Sequence, residues 1–93
     1  MQFEWDEEKA KANLNKHSIH FDDAAFVFAD ANRIEWFDNR ENYGEDRFNT
    51  VGMVFGVLLC VCYTVRNNGT TIRIISARKA YGNEKKQYHH QNH

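Results

Sequence analysis

Proline is absent from this chain of 93 residues, and no internal repeat or low-complexity stretch divides it. No apolar run reaches the roughly 18 residues a membrane-spanning helix requires, so no membrane association is expected. Cysteine is scarce. Cys60 and Cys62, two positions apart in a strand-like run, project from one face, a spacing that disfavours a mutual disulfide. They read as core thiols of a reducing compartment, and the expected location is cytoplasmic. The opening MQFEWDEEKA is acidic and lacks the basic–apolar–small pattern of a secretion signal, so none is expected. No phosphate-cradling glycine loop, nucleophile elbow or dinucleotide fingerprint occurs, and no cofactor is expected. His17 and His20 lie across a helix boundary. His89, His90 and His93 have no carboxylate or thiol at ligand spacing, so no metal site is expected either.

What is present is a globular composition, 42% hydrophobic and 14% aromatic. The length predicts one domain, residues 1–93, whose fold hides roughly two-thirds of the surface of the open chain. The net charge of −1 conceals an asymmetry. Residues 1–46 hold 5 basic and 12 acidic side chains, whereas residues 47–93 hold 7 basic ones and the single acid Glu84. A near-neutral total therefore does not argue against a polyanion site, because what matters is the potential of one face. The plainer alternative is that the two halves pair with each other.

Phe3–Trp5 reads as an opening strand. Asp6 stands where a helix N-cap belongs, with Glu7 and Glu8 in the first turn, and the helix is predicted to run to about His17. Phe21, Ala24, Ala25 and Phe28 fall at i, i+3, i+4 and i+7, the stripe of a second, core-facing helix. Strands are predicted at Arg33–Phe37, Arg47–Val54, Val57–Arg66 and Thr70–Ala77. A polar loop with Gly44 spans Asp38–Asp46, Phe55–Gly56 forms a tight turn, and Asn67–Asn68–Gly69 is a hairpin signal. A short helix around Asn83–Tyr88, with a frayed His-rich end, closes the chain. The expected fold class is α+β: an antiparallel sheet of about four strands, two N-terminal helices and a short C-terminal helix, with helices on one face and the other open.

Several residues could carry chemistry on that open face. Lys9, Asn13, Lys16 and His17 stack along one helical ridge, and His17 is a titratable group beside the fixed cation Lys16. Strict alternation puts Arg73 on the face of Ile75 and Ala77 and Arg78 on the face of Ile72 and Ile74, so the two arginines are expected to diverge. Glu45 and Arg47 share a face. Glu45 is either a site carboxylate or the partner of one arginine.

Three blocks together resemble the BrnT family of bacterial type II toxin–antitoxin ribonucleases. They are FEWDEEKAKANLNKHSIHFDDAAFVFAD, then GEDR at Gly44–Arg47 with Gly52 beyond, then CYTVR at Cys62–Arg66 and IRIISARKA at Ile72–Ala80. His20 departs from the usual Ser or Asp cap, Ala31 from a common proline, and Tyr81–Gly82–Asn83 from a more basic start to the last helix. The resemblance implies a RelE-like fold with an RNA-cutting groove. It also implies metal-independent endoribonuclease activity that inhibits translation. The implied partner is a BrnA-like antitoxin, a dimeric ribbon-helix-helix DNA binder, in a heterotetramer that touches promoter DNA only through the antitoxin.

Metal-free RNA cleavage needs a base for the 2′-hydroxyl, an acid for the leaving 5′-oxygen and cations for the phosphorane. The candidates are His17 as acid or base, Glu45 as alternative base, and Arg47, Arg66 and Arg73 as phosphate clamps. Lys16, Arg78 and Lys79 are candidates for gripping the RNA backbone. Tyr63 or Phe48 could stack on a base, with core packing the competing role. The same basic face would equally suit a non-catalytic module binding RNA or protein, or a degenerate toxin kept as an antitoxin partner.

Overall fold

The computed structural model describes residues 1–40 and 44–92. Gln2–Glu4 form strand β1, Glu7–His17 helix α1, and Phe21–Ala24 a one-turn helix, α2, that tightens into a 3-10 segment over Ala25–Ala29. Strands β2 (Ile34–Asp38), β3 (Arg47–Val54), β4 (Val57–Arg66) and β5 (Thr71–Lys79) follow, then helix α3 (Gly82–Gln91). The expected α+β class holds, but the sheet has five strands in the order β1-β5-β4-β3-β2. β2 to β5 form the expected antiparallel meander, whereas β1 lies parallel to β5 at the edge, with Glu4 opposite Arg73. That pairing joins segments almost seventy residues apart, and a three-residue strand carries no local signal of its partner.

Helix α1 starts as expected. The Asp6 carboxylate accepts the backbone N–H groups of Glu8 at 2.8 Å and Lys9 at 3.1 Å. Its apolar content is thin, and one buried amide ties it down: Asn13 Oδ1 accepts the N–H of Ala77 at 3.0 Å, and its Nδ2 donates to the carbonyl of Ile19 at 3.1 Å. β1 covers β5 only at Thr71–Arg73, so Asn13 satisfies a donor on the uncovered edge beyond. The second helix is shorter than its apolar stripe predicts. His20 makes no side-chain cap bond, and the segment AFVFA is rich in weak helix formers. Val27 is fully buried against Gly52 of β3, where a Cβ would lie 2.8 Å from Val27 Cγ2.

Ile19, Phe21, Ala24 and Val27 cover one face of the sheet, over Leu59, Val61, Tyr63, Ile72, Ile74 and Ala77. Contrary to expectation, the other face is not open throughout. Helix α3 packs there through Tyr88, in one cluster with Ala80 just before the helix and with Ile34, Val51, Leu58 and Cys60 of the sheet. The inward residues of α3 are Glu84 and Tyr88, four apart and polar, so its buried side is invisible to a hydrophobic pattern. Tyr88 Oη donates to Asp30 at 2.6 Å, and Asn92 Nδ2 donates to the carbonyl of Asn32 at 2.9 Å. The helix therefore stays formed past His90, instead of fraying. Both cysteines are free and buried, and burial pushes the Cys60 thiol up to about 12.

Two local features decide what faces where. In the β4–β5 ladder Cys62 pairs with Ser76 but Tyr63 pairs with Ile74, so Ile75 is a bulge. The extra residue resets the alternation: Ile72, Ile74 and Ala77 all enter the helix-covered core, while Arg73, Ser76 and Arg78 share the other face. The expected divergence of Arg73 and Arg78 is thereby corrected. At the β3–β4 turn Phe55 has φ 49° and Gly56 φ 82°. A two-residue turn of this hand suits Asn-Gly, and an L-residue there costs roughly 1–2 kcal/mol. Phe55 is 74% exposed, so burial does not offset that cost.

Candidate functional site

The half of the second face left uncovered by α3 is floored by the ends of four strands. Arg47 opens β3, Arg66 closes β4, Arg73 lies on β5 opposite Thr64, and Glu4 closes β1 opposite Arg73. The β-bulge and the β1 crossover bring these side chains together. Arg73 Nη1 donates to Glu4 Oε2 at 2.8 Å, and Arg66 Nε lies 3.8 Å from the same oxygen. Arg66 Nη2 donates to Glu45 Oε1 at 3.2 Å, and Arg47 Nε donates to Glu45 Oε2 at 3.1 Å. The result, among the described residues, is an alternating series, Arg73–Glu4–Arg66–Glu45–Arg47. Arg66 is the most open member, its side chain 47% exposed.

Thr64 is buried beneath this series, its Oγ1 donating to the carbonyl of Asp46 at 2.6 Å. That bond fixes the backbone just before Arg47. Beside it a cavity of about 400 Å³ is lined by Glu45, Asp46, Phe48, Thr64, Val65 and Arg66. Phe48 is half-buried and packs edge-on against the exposed ring of Phe37, while Tyr63 is buried in the core. Of the two aromatic candidates, only Phe48 therefore lines this cavity.

Next to Arg47 on the same face, Asp38 is buried with its side chain 1% exposed. Arg40 donates to both its oxygens, at 2.8 and 2.7 Å, and this guanidinium holds the carboxyl down at about 2, against the cost of burial. The Cys62 thiol sits 3.9 Å from Asp38 Oδ2, and desolvation raises it above the usual thiol range. Neither cysteine has the low-pKa character of a nucleophile.

The remaining candidates lie elsewhere. α1 begins beside the end of β1, at the level of Arg73, and Asn13 meets β5 at Ala77. Lys16 and His17, in its last turn, therefore lie at the far end of β5, away from the arginine series. Arg78 shares the face of Arg73 but is engaged by Glu84, with Nη1 and Nη2 donating at 2.8 and 2.9 Å. Its guanidinium also stacks 3.7 Å from the centre of the Tyr81 ring. The bound guanidinium keeps Glu84 ionised below the usual range despite its burial, and Glu84 also accepts the N–H of Tyr81 at 2.7 Å. Arg78 thus anchors the start of α3. Lys79 lines a separate groove of about 290 Å³ with Lys85 and His89.

Sequence reasoning missed Glu4 and Asp38. Glu4 is visible only once β1 is placed beside β5. Asp38 sits in register with Arg47 across β2 and β3, and in the linear sequence it reads as loop. Part of the expected Asp38–Asp46 loop, residues 41–43, and His93 of the terminal histidines lie outside the described residues. Among the described residues no group of three or more His, Cys, Asp or Glu side chains could hold a metal ion. No helix among them is long and apolar enough to cross a membrane.

Comparison with known proteins adds one finding. A family model described as the ribonuclease toxin, BrnT, of a type II toxin–antitoxin system matches residues 5–84. The match spans Glu45, Arg47, Arg66 and Arg73 and leaves out Glu4. No curated protein matches the chain.

Proposed function

The chain belongs to the BrnT family of ribonuclease toxins of type II toxin–antitoxin systems, and from that premise we propose that the arginine–glutamate series is its RNA-cutting site and works without a metal ion. The observation that carries this reading is the convergence of Arg47, Arg66 and Arg73 on one exposed half-face, with Glu45 held between two of them. Guanidinium groups match phosphate oxygens in geometry and charge. A scissile phosphate entering the cavity beside Arg66 takes over hydrogen bonds now made to Glu45. The released carboxylate then accepts the proton of the 2′-hydroxyl as that oxygen attacks phosphorus. The bond to the 5′-oxygen breaks as that oxygen takes a proton from water entering the exposed cavity, giving a 2′,3′-cyclic phosphate and a 5′-hydroxyl end. The three arginines carry the charge of the phosphorane, and Phe48 offers a ring for an adjacent base.

In this reading Lys16, His17 and Lys79 serve RNA further along, at the far end of β5, and Arg78 acts through α3. Cutting RNA would inhibit translation in the cytoplasm. A BrnA-like ribbon-helix-helix antitoxin would neutralise the toxin in a heterotetramer and carry the complex to promoter DNA. A second reading is favoured by one observation: each of the three guanidinium groups already has a carboxylate, as in a module that grips RNA without cutting it or a toxin that has lost activity.

Purified protein and end-labelled RNA in excess EDTA separate the two. Cyclic-phosphate products that vanish in Arg66→Ala, with His17→Ala cutting at close to the parent rate, support the proposed site. Intact RNA retained by the protein favours the module, and loss of cutting in His17→Ala returns the imidazole to the chemistry.

A further inference from the structure

Among the described residues, a group of exposed aromatic side chains lies away from the arginine series, on the helix-covered side. Phe26 is 54% exposed, Phe55 74%, Met1 79% and Phe3 37%. Phe26 meets Phe55 with ring centroids 5.3 Å apart, Phe3 meets Phe28 at 5.6 Å, and a shared cavity wall of Phe3, Phe26 and Phe28 joins the two pairs. A cavity of about 410 Å³ lies there, lined by Met1, Phe3, Phe26, Phe28 and two alanines, with Asp22 as its one charged side chain among the described residues. Scattered exposed apolar residues are ordinary on a folded protein, but a contiguous aromatic patch with a charged rim marks an interaction surface. Phe55 adds an independent sign. It occupies a left-handed turn position at φ 49° that Asn or Gly would fill at lower cost, and it remains in solvent. The Phe26 contact leaves most of the Phe55 ring in solvent, and a local rule broken for so little burial points to a role outside the fold.

Charge selects the occupant. Asp22 lies in the cavity wall and Asp23 follows it, while the nearby guanidinium of Arg33 is turned onto the Phe28 ring at 5.0 Å and paired with Glu35 at 2.6 Å. Among the described residues, the acidic rim gives an anionic RNA or membrane surface no basic side chain to pair with in the cavity wall. A second copy seated face to face brings Asp22 and Asp23 close to their own duplicates. What fits is a protein segment with two or three apolar side chains for the aromatic cavity and a Lys or Arg aimed at Asp22. We propose that this patch is the docking surface for the antitoxin, which enters it as an apolar segment with a basic side chain at the Asp22 rim. The inference rests on the antitoxin part of the proposed function and is independent of the ribonuclease part.

The probe is the purified product of the open reading frame adjoining this chain's gene, titrated calorimetrically into the chain and its variants. Phe55→Asn suits the left-handed turn better than Phe, so its thermal midpoint should equal or exceed that of the parent. Its affinity for the antitoxin should fall by about 30-fold, the scale of losing one aromatic anchor. Asp22→Lys should weaken binding and flatten its salt dependence, while both variants cut RNA as the parent does. Phe55→Asn and Phe26→Ser proteins that are folded and bind with parental affinity overturn the proposal. So does a patch variant that turns a dimer into a monomer in sedimentation without changing antitoxin binding, because the occupant is then a second copy. A parent chain that does not bind the antitoxin overturns both this inference and the antitoxin reading beneath it. Loss of RNA cutting alone touches only the ribonuclease reading.

Discussion

The two faces of the sheet answer the same demand for burial in opposite ways. On the side of α1 and α2, side chains such as Val27, Val61 and Ile74 lie within 1% of complete burial, and packing holds the layers together. On the other side α3 covers one half with Leu58, Cys60 and Tyr88, and the other half is closed by charge, with Arg66 and Arg73 still 47% and 28% exposed. Exposed ion pairs contribute only about 0–1 kcal/mol each, because solvent screens them and ordering long side chains costs entropy. The hydrocarbon face therefore carries most of the stability. The ionic half-face is held loosely enough that an arriving anion can exchange with its carboxylates.

That contrast can be broken by substitution. The largest loss of stability belongs to the hydrocarbon face: Leu59→Ala should cost about 2–5 kcal/mol, seen as a lower urea midpoint. On the ionic face, Arg73→Ala should shift that midpoint by less than about 1 kcal/mol. Its RNA cleavage should nevertheless fall by roughly 10²–10³-fold in single-turnover assays, the scale of deleting one transition-state contact. If Arg73→Ala unfolds the chain, the division between the faces is wrong. Gly52→Ala tests how tightly the layers meet. Its new Cβ would lie 2.8 Å from Val27 Cγ2 and 3.2 Å from the Val27 carbonyl oxygen, so overpacking should cost about 1–3 kcal/mol in the same titration.

Acid gives the smallest and most selective test. Asp38 is held down at about 2 in the folded chain, below its ordinary value. Its stabilisation is therefore complete above about pH 4 and is lost as pH falls through about 2, worth at most about 2 kcal/mol and less in high salt. Urea midpoints of the parent and Arg40→Met should converge as the pH falls through that window. A constant gap between them would show that Arg40 acts by packing alone.

The elements with local signals were readable from the residues. Asp6 announced α1, the run from Val57 to Arg66 announced the central strand, and Asn67–Asn68–Gly69 took the positive φ values its composition favours. The candidate cations Arg47, Arg66 and Arg73 and the carboxylate of Glu45 were equally readable, since their residue types suit phosphate. What the residues concealed was phase and long-range pairing. The bulge at Ile75 shifts by one residue a pattern of period two, so Arg78 changes face while every local preference stays the same. Helix α3 buries a Glu and a Tyr rather than an apolar stripe, and so hid the half of the second face that it covers. β1 depends on a partner at the far end of the chain, and Glu4 was overlooked with it.

The contact between Glu4 and Arg73 spans 69 positions of the chain. Synthesis proceeds from the N-terminus, so a growing chain on the ribosome lacks β5 until Thr71–Lys79 have been made. Glu4, the first member of the ionic series to be translated, waits longest for its partner, and the series cannot close until Arg73 has followed it out of the ribosome.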